Sequence, residues 1–142
     1  MRNVILGAAV AMVLTSAAPA QAVRRWVPID RITMGVTGDL TLSGETLTFG
    51  NGASLHVKLI AARKRGHWSA ANELEEGDVY KVDPPANPVL LRDNTLCDKP
   101  ATYIVLSYPV AHDAFLNVYT GPNPPNGDRS EQACTGYSYT EG

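Results

Sequence analysis

The sequence predicts an all-β domain, a small antiparallel β-barrel or sandwich of about seven to eight short strands closed by one disulfide. Three observations point there. Apolar residues alternate with polar ones at a period of two in several short runs. Gly- and Asn-bearing turns separate those runs. No long amphipathic helix and no strand–helix alternation interrupts them, which argues against a doubly wound sheet.

The chain opens with MRNVILGAAVAMVLTSAAPAQA. One basic residue, Arg2, precedes an apolar run from Val4 to Leu14, and small residues lead to Ala20-Gln21-Ala22. This is the layout of a secretory signal peptide with an A-x-A cleavage site. The run is too short to span a bilayer, which takes about 18 to 20 apolar residues. No cysteine stands at the cleavage site to take a lipid. The expected organisation is therefore a signal peptide over 1–22 and a single β domain over 23–142, periplasmic or secreted, with no membrane span.

Next, VRRWVPIDRIT (Val23–Thr33) reads as an extended lead-in around Pro28. Three alternating runs follow it: Leu40/Leu42, Leu47/Phe49 and Leu55/Val57/Leu59. Each predicts a strand with one buried face. Ser43-Gly44-Glu45 and Gly50-Asn51-Gly52 supply the turns of a three-stranded meander. The pattern then breaks at AARKRGHWSAANELEEGD. This segment reads as a charged, solvated loop, with a short helical turn capped by Ser69.

VYKV, from Val79 to Val82, resumes the strand pattern. Pro84, Pro85 and Pro88 lack amide donors and forbid a regular ladder behind it. Val89–Leu91 is a short apolar run, and Arg92–Asn94 a turn. ATYIVLSY (Ala101–Tyr108) is apolar on both faces and predicts a covered strand. FLNVYT (Phe115–Thr120) is another strand. GPNPPNGDRSEQ is a long irregular loop, and Tyr137/Tyr139 alternate in the last strand.

Two cysteines, Cys97 and Cys134, in an exported chain predict one disulfide. It closes a loop worth about 4 kcal/mol of chain entropy. The alternative, a catalytic or redox thiol, lacks a C-x-x-C pair and a recognisable histidine partner.

The chain carries a formal charge of −2, which argues against a general affinity for nucleic acid. The catalytic inventory is empty. His112-Asp113 sits on a turn without a nucleophile in view, and His56 lies on the polar face of a strand. No zinc, calcium, Walker, dinucleotide or G-x-S-x-G pattern occurs, so neither metal nor cofactor is expected. Glu73, Glu75, Glu76 and Asp78 read as a solvated acidic face. The candidate binding residues are Arg65, His67 and Trp68, an aromatic amid opposite charges in a segment that breaks the strand pattern. The competing reading is that Trp68 plugs one end of a barrel.

The segments GDLTLSGETLTFGNGASLHV, VYKVDPPANPVLLRDNTLC and ATYIVLSY, with a late cysteine, resemble a group of small exported proteobacterial proteins built on a domain of unknown function. In outline the chain is also similar to periplasmic lysozyme inhibitors of the calycin-like barrel type. Their inhibitory turn carries a basic residue after Ser-Gly, whereas Ser43-Gly44 is followed by Glu45. The functional expectation is a non-enzymatic exported domain that binds an unknown protein or small ligand. The alternatives are an inhibitor of a cell-wall hydrolase such as lysozyme and a small hydrolase with dispersed catalytic residues.

Overall fold

In a computed structural model, which describes residues 9–14, 22–70, 72–128 and 131–142, eight antiparallel strands close into a barrel in strict chain order. They are β1 (Arg24–Pro28), β2 (Leu40–Ser43), β3 (Thr46–Thr48), β4 (Ser54–Gly66), β5 (Glu75–Ala86), β6 (Ala101–Tyr108), β7 (Asp113–Tyr119) and β8 (Thr135–Glu141). Pairing of β1 with β8, Trp26 opposite Glu141, closes the ring. A closed barrel leaves no edge along most of its wall. The described residues of the expected signal peptide, 9–14 and Ala22, have no regular secondary structure; the rest of it lies outside the described residues. No helix among the described residues is long and apolar enough to cross a membrane.

Alternation places Trp26, Leu40, Leu42, Leu47, Leu55, Val57, Tyr80, Val82, Ile104, Leu106, Leu116, Val118 and Tyr139 in the main core, nearly all of them completely buried. Eight strands enclose a lumen just wide enough for side chains to fill or for one small ligand to enter, and here these residues occupy it.

One end of the barrel is capped. The segment expected to be an extended lead-in instead turns after β1 into a short helix, α1 (Arg31–Val36). Asp30 drives this: its carboxylate accepts from the Thr33 amide at 2.8 Å and from the Thr33 hydroxyl at 3.0 Å, an N-cap that the sequence reading passed over. Thr37, just past the helix, is fully buried, and its Oγ1 meets the Tyr139 hydroxyl at 2.5 Å. Leu90 and Leu96 of the β5–β6 connection add to the same cap. Val89–Leu91 is not a strand; it leads into a single 3-10 turn at Leu91–Asp93.

The charged segment after Leu59 is not a surface loop. β4 runs on to Gly66 and β5 begins at Glu75, so most of it is a long hairpin. Register shifts between Leu59 and Ala61 and between Ala61 and Lys64 interrupt the β4–β5 ladder. The irregularity puts Arg63 at φ 50° and frees its amide from the ladder. Paired charges across the hairpin, Arg63 to Glu76 at 3.0 Å, replace the apolar face that the sequence lacks. The prolines act as expected: on the β6 side no ladder partner falls between Lys81 and Ala86 of β5, although the strand geometry persists through them.

Cys97 and Cys134 are bridged, with their Cα atoms 6.1 Å apart. The bond ties the β5–β6 connection to the residue before β8. Between β7 and β8 the polar loop reaches back along the outer wall, where Gly127 accepts from the His67 amide at 2.8 Å.

Candidate functional site at the open mouth

The uncapped end gathers the β2–β3, β4–β5 and β6–β7 connections and the start of β1. Here the lumen-facing positions become polar. Arg24 lies two residues from Trp26 on β1, Asp78 two from Tyr80 on β5, and Tyr108 two from Leu106 on β6, so all three side chains turn inward. Arg24 donates to the Tyr108 hydroxyl at 2.9 Å, and that hydroxyl donates to Asp78 Oδ2 at 2.8 Å. The freed amide of Arg63 donates to Asp78 Oδ1 at 2.9 Å. Each Asp78 oxygen thus has a donor, which is what a carboxylate only 13% exposed requires. The Arg24 guanidinium stands 4.6 Å from the Trp26 ring centroid and 5.2 Å from that of Tyr108, a cation–π seat that holds its plane in place.

Burial pushes the Tyr108 hydroxyl well above the ordinary phenol range, and its hydrogen bond to Asp78 pushes the same way; Arg24 opposes both. Tyr80 is raised to about 12, by burial first and by the Asp78 charge second. Both phenols therefore stay protonated, and that of Tyr108 serves as a donor. Neither is a base at neutral pH.

Between β1, the β2–β3 turn, β4 and β5 lies an open cleft of about 480 Å³. Arg24, Leu42, Glu45, Val57, Lys58, Leu59 and Tyr80 line it, with Ala22 at its edge. The cleft exists because β3 is short. Its last partner on β4 is His56, opposite Thr46, and beyond Val57 the strand β4 has no neighbour on that side among the described residues. Leu42 and Val57 form a buried floor, while Leu59 remains 52% exposed. The volume is of the size that small-molecule sites occupy, about 300–1,000 Å³. No family model, curated protein or solved structure matches the chain.

The residues singled out from sequence lie outside the cleft. Arg65 is exposed near the far end of β4, opposite Glu76. His67 is half-buried, and its Nδ1 pairs with the Glu73 carbonyl at 2.9 Å. Trp68 is 7% exposed and donates from Nε1 to the Lys64 carbonyl at 2.9 Å. It does not plug an end. It packs on the outer wall with Val79 and Val105, beneath the β7–β8 loop. Glu75 is not solvated either: it is 9% exposed, and its Oε1 accepts from the Ser69 amide. His112 and Asp113 do not act together; His112 Nδ1 meets Glu141 at 2.9 Å on the exposed rim. No group of three or more His, Cys, Asp or Glu side chains converges as metal ligands among the described residues.

Arg24, Asp78, Tyr80 and Tyr108 carried a signal that went unused. Extending the alternation outward, Arg24-x-Trp26 and Asp78-x-Tyr80-x-Val82, places charges on the apolar face of their strands. A charge in phase with a core stripe marks a lumen end.

Proposed function

We propose that this is an exported, non-enzymatic binding domain that seats a small ligand in the open mouth of the barrel. One observation carries the reading: a closed barrel is capped at one end, and at the other it holds a preorganised Arg24–Tyr108–Asp78 network beside an apolar-floored cleft. Few, fixed polar groups over an apolar floor are what orient a small ligand. Because the lumen below is filled, the ligand would sit in the mouth and not deep in the barrel. The export half of the proposal draws on the leader pattern, on the disulfide, and on the resemblance to small exported domains.

An inhibitor reading asks for a loop that projects into an enzyme cleft. The β4–β5 connection instead folds back on the wall through Trp68, which lends that reading less support.

A fragment mixture titrated into the isotopically labelled protein and followed by amide NMR tests the site. Shifts should concentrate at Leu42, Gly44, Val57 and Leu59. Shifts confined to His67 and Gly127, or none at all, would remove the mouth as the binding site. Export is tested separately by the mass of the protein recovered from its host. Cleavage after Ala22 is expected, and an intact Met1 form with two free thiols would end that half.

A further inference from the structure

We propose that the mouth selects an amphipathic anion, an oxyanion head on a short apolar chain. The inference rests on the mouth being the binding site and adds the chemistry of its ligand.

The argument turns on which charges in the mouth are already engaged. Among the described residues two carboxylates bear on the cleft, Glu45 in its lining and Asp78 beside Arg24, and both have partners. Asp78 accepts from the Tyr108 hydroxyl and from the Arg63 amide. Glu45, on the rim, faces His56 Nε2 at 3.2 Å. The cations are less committed. Arg24 gives one hydrogen bond, to Tyr108, and stands 3.9 Å from Asp78, beyond hydrogen-bond reach. Its side chain is 43% exposed although its plane is fixed by two aromatic rings. A guanidinium held in place with donors to spare presents the fork that carboxylates and phosphates accept. Lys58 lines the same cleft and forms no ion pair with the described residues. Ala22 also lines it, so the proposed cut after Ala22 brings the α-ammonium group of Val23 to the rim as a further cation.

The rest of the cleft is apolar. Leu42, Val57 and the Tyr80 ring are buried beneath it, and Leu59 stands half in water beside them. An oxyanion on Arg24 would leave a chain lying over Leu42, Val57 and Leu59, where it would cover the exposed leucine. A purely polar anion would leave that floor unused, and a neutral apolar molecule would bury the Arg24 donors unpaired, which costs binding.

Three probes sharing one chain separate head from tail: sodium decanoate, 1-decanol and decyltrimethylammonium bromide, each titrated below its micellar range into the protein purified with its leader processed by the host. Amide shifts report the place and calorimetry the affinity. Decanoate is expected to shift Leu42, Val57 and Leu59 and to bind about ten-fold or more tighter than decanol, with the ammonium probe weakest. Arg24→Gln should weaken decanoate about ten-fold and leave decanol unchanged. Lys58→Gln, an exposed site that no internal bond depends on, gives a smaller loss in the same direction and guards against misfolding in the first variant. Lys99→Gln, outside the mouth, should change nothing. Equal affinity for decanoate and decanol, or indifference of decanoate to both cation variants, would overturn the anion assignment while leaving the mouth as a binding site. Silence of the mouth amides toward all three probes would overturn the assignment too. The broader reading would fall with it only if the fragment mixture also left those amides unmoved.

Discussion

Trp68 and Gly77 touch on the outside of the barrel: a Cβ built on Gly77 would come within 2.7 Å of the indole Nε1. Only a glycine lets the ring lie flat on β5. The same ring rests near Gly66 and Gly127, whose own approach is so close that a Cβ on Gly66 would fall 2.8 Å from the Gly127 Cα. Three glycines from three segments thus form the seat of one tryptophan, and the tryptophan fastens the β4–β5 connection and the β7–β8 loop to the wall. Trp68→Ala should lower unfolding free energy by about 3–5 kcal/mol, the cost of truncating a buried aromatic, and leave mouth binding intact. Denaturant titration checks the first, and the amide shifts at Leu42 and Val57 the second. An unchanged midpoint would mean that the ring contributes nothing to the fold.

Gly77→Ala should act in the same direction without removing any apolar surface. The added methyl meets the indole and, at 2.8 Å, Cγ1 of Val105, a side chain that is fully buried and has no room to move. Overpacking of this kind costs about 1–3 kcal/mol. In the double variant with Trp68→Ala the penalty should shrink, because one of the two clashing partners is gone. Additive losses in that cycle would show that the clash is not what destabilises the single variant.

The disulfide joins residues 37 apart in sequence. Constraining a loop of that length in the unfolded chain is worth about 4 kcal/mol, a large share of a typical domain stability of about 5–15 kcal/mol. The pair Cys97→Ser with Cys134→Ser is expected to unfold at correspondingly lower denaturant while keeping the mouth shifts of the intact protein. Loss of ligand response in a variant that remains folded would tie the bridge to the site itself.

What the sequence made legible was whatever alternates. Leu40/Leu42, Leu47/Phe49 and Leu55/Val57 face the lumen as their period requires, and Cys97 found Cys134. Two things escaped. The stretch from Ala61 to Asp78 lacks an apolar stripe because its charges pair across the hairpin, Arg63 with Glu76, and a pairing between strands leaves no local period. Trp68 drew notice as a contact residue because it stands amid opposite charges in a segment that breaks the strand pattern. Its partners, Val79 and Val105, lie on two other strands, and on the outer face of a barrel whose inner face sets the pattern. The mouth was missed for a related reason: starting each strand at its first apolar residue cuts off the charge that precedes it in phase, Arg24 before Trp26 and Asp78 before Tyr80.

Thr37 Oγ1 and the Tyr139 hydroxyl meet inside the cap, both residues essentially without exposure. Thr37→Val keeps the shape and removes the polar partner, leaving the Tyr139 hydroxyl buried and unpaired. The cost of such an orphan is about 1–3 kcal/mol. Adding Tyr139→Phe should recover part of that loss, since the orphan is then gone as well. A double variant no more stable than Thr37→Val alone would contradict this account.

The phenols are expected to set the alkaline limit of the fold. Burial, above all, raises Tyr80 and Tyr119 to about 12, and raises Tyr108 and Tyr139 further. In the unfolded chain the same groups would ionise near about 10. A raised folded value means that the native state holds protons that the unfolded chain would release. The stabilisation linked to them is therefore complete below about pH 10 and is lost as pH climbs toward and through the folded values. Tyr80 and Tyr108 sit beside Asp78, whose negative charge raises both and makes the mouth part of that limit. Phenolate absorbance on a pH titration should show a steep stage above about pH 11 that coincides with loss of near-ultraviolet circular dichroism. Asp78→Asn removes the charge, so Tyr80 should ionise earlier, and the steep stage should begin at lower pH as the network that holds Tyr108 loosens. A single smooth titration centred near pH 10, with the dichroism unchanged through it, would show that these hydroxyls are open to water in the folded protein.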